Sequence, residues 1–355
     1  MSAEGTGSDL SALNAGVRRW LSSGALQSPG GAFCAWKDAV TSELAFEYPE
    51  ITGYALTHLA SDALPGSAAQ DAGERAGRWL RERLRDGELA ARTAWDGQVA
   101  YNFDLAMIAH GLLAFGRTTG DRELVEAGHD LVADLCDQHR TEGVLPSIRQ
   151  SARRSSIRSA WSTEGFAHLV KTVGCMLQGG GEEARSVAGD IAGRAALIQG
   201  DDGRFTTHPD DHETMLHPHL YAVEGLWMFA RATGDADAEE RARRGLRWVW
   251  EQQLDTGGFP RFVSTASAGH DEVAPEQFDA SAQAVRMAAL LGERPEGFEA
   301  ALERLAHVAR PDGEAGLALP YQTGSSHLNA WVSMFACQAL EAAVAPAPLP
   351  WELLV

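Results

Sequence analysis

A short turn built around glycine recurs along the chain and constrains its fold more than any other feature. The turn reads GGAF, DGEL, EGVL, DGRF, GGFP and DGEA in succession. Its marker glycines lie 56, 56, 60, 55 and 55 residues apart; they are Gly31, Gly87, Gly143, Gly203, Gly258 and Gly313. Six units of nearly constant length, filling 355 residues, predict a repeat architecture.

Each unit contains two predicted helices of different character. One kind, such as DADAEERARRGLRWVWEQQ, carries one apolar stripe and a charged face, whereas the other, such as FDLAMIAHGLLAFG, is apolar on most sides. A helix that is apolar all round is buried, so the alternation indicates an inner and an outer ring of helices. The twelve predicted helices span 9–24, 50–64, 68–86, 103–118, 121–138, 161–178, 181–198, 217–233, 235–253, 277–291, 295–309 and 327–344.

The sequence therefore predicts an all-α fold, a single-domain (α/α)6 toroid of six helical hairpins over residues 9–344. Helix 9–24 would pair with helix 327–344 and close the ring, and an open helical solenoid is the alternative. Residues 1–8 are expected to form a disordered N-terminus. Residues 345–355 form a Pro-rich C-terminal tail that cannot continue a helix. The tail either docks on the body or mediates a homodimer.

The predicted connections have a polarity. Turns from inner to outer helices are short, while the six loops from outer to inner helices are long: 25–49, 87–102, 139–160, 199–216, 254–276 and 310–326. All six long loops would lie on one face, beside the N-termini of the inner helices. Long ordered loops on a rigid scaffold commonly carry function, so this mouth is the predicted site.

Composition excludes several classes of partner. Lys and Arg total 30 against 49 Asp and Glu, a net charge of −19, which excludes nucleic acid and anionic membranes as general partners. No apolar run approaches the length of a membrane span, and MSAEGTGSDLSALNAG does not resemble a signal peptide. The four cysteines are scattered without a CxxC pair, which predicts a cytoplasmic protein without disulfides or structural zinc.

Four segments resemble a known group of proteins: YPEITGY at Tyr48, YNFDLAMIAHGLL at Tyr101, HPHLYAVEGLWMFARATGD at His217 and SSHLNAWVSMFACQAL at Ser325. They are similar to the six-hairpin toroid proteins of carbohydrate chemistry. These comprise the N-acylglucosamine 2-epimerase-like isomerases, the unsaturated glucuronyl hydrolases and the six-hairpin glycosidases. The resemblance implies a cofactor-independent enzyme acting on a small, sugar-like substrate.

Histidines support an epimerase or isomerase as the first hypothesis. The resemblance implies a histidine-rich segment leading to an acid on the fourth inner helix, and a second histidine on the last. We therefore expect His219 and His327 to act as acid and base, because histidine exchanges protons near neutral pH. Glu224 and Asp104 would support them, and His217 would bind substrate. The HPH segment is weak evidence for a metal, so no metal site is predicted.

Carboxylates support a glycoside or unsaturated-uronyl hydrolase as the alternative. Asp104 and Asp279 occupy the related settings NFDLA and QFDAS on the second and fifth inner helices. Hairpins three apart face each other across a six-membered ring, and glycoside hydrolysis uses two such carboxylates. Glu164, at the start of the third inner helix, is expected to bind substrate.

Aromatic and basic residues complete the predicted site. Sugar rings stack on aromatic side chains, and the aromatic residues assigned to substrate binding are Tyr54, Trp95, Tyr101, Tyr321 and Trp331. The loop RQSARRSSIR holds four arginines and no acid. Because arginine binds carboxylate and phosphate through two hydrogen bonds, Arg154 and Arg158 indicate an anionic sugar.

Two further hypotheses remain open on sequence alone. QQLDTGGFPRF resembles the glycine-aromatic turns of terpene cyclases, which are also toroids, although no DxDD motif lies on an inner helix. A toroid that binds glycans or proteins without turnover is the non-enzymatic alternative.

Overall fold

The computed structural model describes residues 3–87, 99–149, 159–209, 213–264, 274–344 and 349–355, with side chains from residue 9 onward. Within these ranges the chain is predominantly helical, which confirms the all-α prediction. The α-helices are α1 (Ala3–Ser22), α2 (Pro49–Ala60), α3 (Ala68–Arg85), α4 (Asn102–Thr119), α5 (Arg122–Glu142), α6 (Trp161–Glu164), α7 (Val173–Gly179), α8 (Glu182–Ala195), α9 (Leu216–Thr233), α10 (Ala236–Trp250), α11 (Phe278–Leu290), α12 (Phe298–Val308) and α13 (Ala330–Val344).

The helices form six hairpins around one core. The inner helices are buried on most sides; in α2 every residue from Pro49 to Ala60 is buried. The outer helices bury a single stripe, such as Ala69, Ala72, Ala76 and Leu80 in α3, which is the helical spacing of an amphipathic element. Helix α13 packs against both α1 and α2. The ring is therefore closed by the predicted hairpin, and the (α/α)6 toroid is confirmed over the open solenoid.

The glycine turn of the repeat has a physical explanation in its contact with the next outer helix. Gly31 has a φ of +103°, and a Cβ placed there would lie 2.7 Å from the backbone oxygen of Arg75. Gly203, with a φ of +96°, meets the Arg244 oxygen in the same way, at 2.4 Å. Only glycine combines this backbone conformation with so close an approach. In these two units the glycine turn is therefore seated directly on an outer helix.

Two inner elements differ from their predicted form. The helix predicted over 161–178 is interrupted: α6 ends at Glu164, and the chain continues as a 3-10 helix over Ala167–Thr172 before α7. A Cβ on Gly165 would lie 2.2 Å from the Thr207 oxygen, so the close approach of that loop favours the break. The helix predicted from residue 327 begins instead at Ala330.

Residues 327–329 form a strand because they pair with the first long loop. Strand β6 (His327–Asn329) runs antiparallel to β1 (Trp36–Asp38), with His327 opposite Asp38. Two similar pairs tie other loops: β2 (Glu213–Met215) with β3 (Phe262–Ser264), and β4 (Arg310–Pro311) with β5 (Leu317–Ala318). These ladders fix the loops at the mouth of the ring.

The two ends of the described chain are more ordered than the sequence predicted. Helix α1 begins at Ala3, before the predicted start at residue 9. A 3-10 helix over Trp351–Leu353 contacts α2, α4, α7 and α9, and Val355 is fully buried. Gln338 donates to the Leu353 oxygen at 2.6 Å. Of the two interpretations of the tail, docking on its own chain is the one that these contacts support.

In the ranges that the structure describes, no helix combines the length and apolarity needed to cross a bilayer. The four cysteines are free and buried.

Candidate functional site

A cavity of about 350 Å³ opens where the long loops meet the N-termini of the inner helices. Its wall is mainly aromatic, with a few polar groups, which is the usual character of a small-molecule site. The lining residues are Trp36, Tyr48, Glu50, Ile51, Trp161, His217, Tyr221, Asp279, Tyr321, His327, Asn329 and Trp331. Five of the sequence-predicted site residues are therefore brought together here: His217, Asp279, Tyr321, His327 and Trp331.

His217 lies in the first turn of α9. Pro218 is tolerated beside it because the N–H groups of a first turn have no intrahelical acceptor, so the missing N–H of proline breaks no hydrogen bond. Its Nδ1 is 2.7 Å from Oε1 of Gln283 and 3.5 Å from Oδ2 of Asp279. The ring packs on Tyr221, with centroids 4.3 Å apart, and contacts Trp161 edge-on at 6.1 Å. One ring nitrogen of His217 is thus anchored in the wall of the cavity.

Asp279 lies in the first turn of α11, where the helix dipole favours an acid. Its Oδ2 accepts hydrogen bonds from Nε2 of Gln277 at 2.9 Å and from Nε1 of Trp331 at 3.2 Å. Gln277 also donates to the hydroxyl of Tyr321 at 2.5 Å. The carboxylate and the two aromatic side chains therefore form one connected wall.

His327 enters the cavity from β6. Its ring stacks on Trp36 with centroids 4.7 Å apart and planes 12° from parallel, as expected for diagonal neighbours on one face of a strand pair. Nε2 lies 3.9 Å from Oδ2 of Asp38. The Ser326 hydroxyl and two backbone N–H groups lower the pKa of Asp38 to about 2. A carboxylate thus faces the outer side of His327, whose side chain is 44% exposed.

A buried ion cluster lies beneath the cavity and consists of Glu224, Lys171 and Arg286. Lys171 Nζ is 2.8 Å from Glu224 Oε2, and the Arg286 guanidinium pairs with Oε1. Burial, together with Arg286, lowers the pKa of Lys171 to about 8, although Glu224 opposes this shift. Burial raises the pKa of Glu224, but the two cations outweigh it and lower the pKa overall. Glu224 therefore supports the floor and does not line the cavity.

Two tyrosines connect the ion cluster to the cavity. The hydroxyl groups of Tyr54 and Tyr221 lie 2.9 Å apart, and Lys171 Nζ lies 4.8 Å and 4.5 Å from their ring centroids. Burial raises the pKa of both hydroxyls well above the ordinary value, so both are neutral. Tyr221 lines the cavity, whereas Tyr54, which was predicted to bind substrate, lies behind it.

His219 is placed away from the cavity, contrary to the expectation from the HPH segment. It is fully buried; its Nδ1 accepts from the Phe205 N–H at 3.1 Å, and Nε2 lies 3.0 Å from the Gly245 oxygen. Both ring nitrogens are thus engaged by backbone groups on the outer side of the ring. Its position suits a structural role between α9 and α10.

Three other predicted residues also lie off the cavity. Asp104 is fully buried at the start of α4, and Tyr101 packs with Val99 and Ile148 in a small separate cluster. Glu164 is half exposed and accepts from the Ser159 hydroxyl at 2.9 Å. None of the three is among the lining residues. The remaining predictions, Trp95, Arg154 and Arg158, fall outside the described residues.

Among the polar side chains of this region, sequence reasoning missed four: Asn329 in the lining, and Gln283, Lys171 and Arg286 behind it. Lys171 and Arg286 had a signal, because a basic residue inside an otherwise uncharged inner helix requires a buried partner. Among the described residues, no group of three His, Cys, Asp or Glu side chains is placed to hold a metal.

Comparison with solved structures defines the fold class. An unsaturated glucuronyl hydrolase from a Bacillus species has a TM-score of 0.70 over 93% of this chain and 95% of its own, at 15% identity. A sugar epimerase from a ruminal bacterium has a TM-score of 0.71 over 95% and 98%, at 12% identity. Cellobiose 2-epimerase from Bacillus thermoamylovorans has a TM-score of 0.70 over 92% and 98%, at 11% identity.

The protein therefore has the six-hairpin (α/α)6 toroid fold, as the sequence resemblance implied. The structures it is similar to include both sugar epimerases and unsaturated glucuronyl hydrolases. No family model and no curated protein matches the sequence.

Proposed function

We propose that the protein is a cofactor-independent sugar epimerase or isomerase, with His217 and His327 as the acid/base pair. The observation that carries this proposal is that two histidines, from the fourth and sixth hairpins, line one aromatic cavity. His217 takes the role that the sequence assigned to His219. The likeness to two sugar epimerases supports the same reaction class.

The proposed reaction is a proton transfer at carbon. One histidine removes the proton from the carbon beside the sugar carbonyl, and the C–H electron pair moves into an enediolate as the carbonyl oxygen gains charge. The other histidine returns a proton to that carbon or its neighbour. Histidine suits both steps because it exchanges protons near neutral pH. Trp36, Trp161 and Trp331 would stack on the apolar faces of the sugar.

An anionic sugar is the finer proposal, and it rests on the arginine-rich loop. The lining residues of the described cavity include two acids, Glu50 and Asp279, and no lysine or arginine. An anion would therefore need Arg154 and Arg158, because arginine binds carboxylate or phosphate through paired hydrogen bonds. Replacing both with Ala should raise KM for an acidic sugar at least tenfold more than for a neutral one. Equal effects on both sugars would argue against the anionic substrate.

A glycoside or unsaturated-uronyl hydrolase is the second candidate. Two carboxylates, Glu50 and Asp279, line the same cavity, and such enzymes use one carboxyl group as acid and another as base or nucleophile. Asp279 keeps its predicted place in this alternative, whereas Glu50 replaces Asp104. The free buried cysteines support a cytoplasmic location for either activity.

Incubation with a panel of sugars in D2O separates the two reactions. An epimerase incorporates deuterium at one carbon, which NMR detects, whereas a hydrolase releases a reducing end without C–H exchange. His217→Gln and His327→Gln should each abolish the exchange. His129→Gln, on the exposed face of the outer helix α5, is the matched control and should keep it. Exchange that survives both cavity variants would refute the histidine mechanism.

A further inference from the structure

Gln283 connects the His217 ring to the buried ion cluster. Its Oε1 lies 2.7 Å from His217 Nδ1, and its Nε2 donates to Glu224 Oε1 at 2.9 Å. Gln283 itself is fully buried on α11. A single amide therefore spans the distance between a carboxylate that never reaches the cavity and a histidine that lines it.

The orientation of this amide is dictated by Glu224. An ionised carboxylate can only accept hydrogen bonds, so the NH2 group of Gln283 must face it. The two cations beside Glu224 keep that carboxylate ionised. The carbonyl oxygen of Gln283 must then face His217, and a carbonyl only accepts. The hydrogen at this contact therefore belongs to His217 Nδ1.

We propose that Gln283 is a positioning residue that holds His217 in the Nδ1–H tautomer, so that Nε2 presents its lone pair to the cavity. The ring nitrogen that carries the proton is set by the hydrogen bond that the ring makes. The tautomer follows from the geometry alone, whereas its use as a base rests on the proposed function. Glu224 then acts on the reaction through Gln283, without touching the substrate.

Asp279 is a second polar neighbour of the same His217 nitrogen. Its Oδ2 is 3.5 Å from His217 Nδ1, against 2.7 Å for the Gln283 oxygen, and already accepts from Gln277 and Trp331. Gln283 is therefore the partner that orients the neutral ring. An imidazolium formed at His217 would lie beside this carboxylate. The aromatic neighbours of the ring, Tyr221 and Trp161, are uncharged.

NMR of protein labelled with 15N-histidine tests the tautomer without any substrate. The His217 signals are assigned by their absence in His217→Gln. In the wild type we expect Nδ1 protonated and Nε2 in the shift range of an unprotonated ring nitrogen. The opposite tautomer in the wild type would overturn the inference, even if no variant of Gln283 folds.

Three variants sharpen the test. Gln283→Met removes the acceptor and should give a mixture of tautomers, while Gln283→Glu retains an acceptor oxygen and should restore Nδ1–H. Gln338→Met is the matched control, because Gln338 also contacts Arg286, at 2.7 Å, but its other hydrogen bonds go to Leu353 and Val355 and not to His217. An unchanged His217 spectrum in folded Gln283→Met would also overturn the inference.

Kinetics distinguish this inference from the proposed function. Gln283→Met should lower kcat for deuterium exchange about 10- to 100-fold and leave KM within about twofold, since only the base is misaligned. A loss confined to KM would contradict a positioning role. If the wild type shows the Nδ1–H tautomer but exchanges no sugar proton, the epimerase proposal fails and the tautomer assignment stands.

Discussion

His217 and His219 are two residues apart on one helix, yet they have opposite surroundings. His217 lines the cavity with one nitrogen on Gln283, whereas His219 is buried on the outer side between the Phe205 N–H and the Gly245 oxygen. Residues at positions i and i+2 of an α-helix lie roughly 200° apart around the helix axis. A histidine pair spaced in this way cannot place both rings in one cavity, so the HPH segment offers one candidate base.

The two histidines also differ in what their surroundings do to the ring. Burial lowers the pKa of His219 to about 4, although its backbone hydrogen bonds oppose the shift, so it stays neutral at physiological pH. His217 keeps a face toward the cavity. One histidine therefore supports the hairpin, whereas the other is available to a ligand.

Exchange of the two side chains for glutamine should separate activity from stability, and this is the largest expected effect. His217→Gln should lower the rate of sugar proton exchange by about 10²- to 10⁴-fold, the usual contribution of a general base. His219→Gln should change that rate less than about tenfold. NMR exchange rates and urea unfolding measured on both proteins provide the comparison. Equal rate losses in the two variants would remove the functional distinction between them.

Breaking the ion cluster beneath His217 should lower the unfolding free energy more than breaking an exposed ion pair. Lys171→Met leaves Glu224 with one cation fewer inside the core. Removal of one partner from a buried pair costs about 3–5 kcal/mol of unfolding free energy. Arg247→Met should cost under about 1 kcal/mol, because its pair with Glu240 is exposed. Urea titration decides, and similar losses in both variants would argue against the cluster as a stabilising unit.

Helical periodicity explains what the sequence could and could not predict here. His217, Tyr221 and Glu224 lie at positions i, i+4 and i+7, so they share one face of α9. Glu224 is also the acid that the sequence analysis assigns to the site. That spacing favours His217 over His219 and was available from the sequence. The glycine period and the buried inner helices likewise sufficed for the toroid.

Other features depend on contacts that no local pattern contains. Asp104 and Asp279 have similar sequence settings, but only Asp279 meets the cavity, because the two inner helices meet different loops. His327 leaves the predicted helix since its backbone pairs with Asp38, almost 300 residues away. Gln283 contacts His217 from the next hairpin, 66 residues along the chain. Long-range pairings of this kind decide which polar groups converge.

His219 should also make stability depend on pH. Its native pKa of about 4 lies below the value of about 6.5 for an unfolded histidine, so the unfolded state binds more protons between these values. Its contribution is present above pH 6.5 and is lost as the pH falls toward 4. At pH 5.5 this loss amounts to about 1 kcal/mol. His58 and His110 are shifted in the same direction.

Urea unfolding at pH 7.5 and pH 5.5 measures this contribution. The difference in unfolding free energy between the two pH values should be about 1 kcal/mol smaller in His219→Gln than in the wild type. His217→Gln serves as the control for replacing a histidine on the same helix. A pH dependence in His219→Gln equal to that of the wild type would show that burial of this ring does not couple to protonation.

The smallest expected effect concerns the wall around His217. Trp331→Phe keeps an aromatic surface against Tyr321 but removes the Nε1–H that donates to Asp279 at 3.2 Å. One hydrogen bond to a charged group is worth about 1.5–3 kcal/mol when buried, but Gln277 still holds the same oxygen. We therefore expect KM for the sugar to rise about three- to tenfold, with kcat within about twofold. A larger fall in kcat than in affinity, measured by initial rates, would mean that Asp279 acts on the proton transfer directly and would favour the carboxylate reaction over the histidine one.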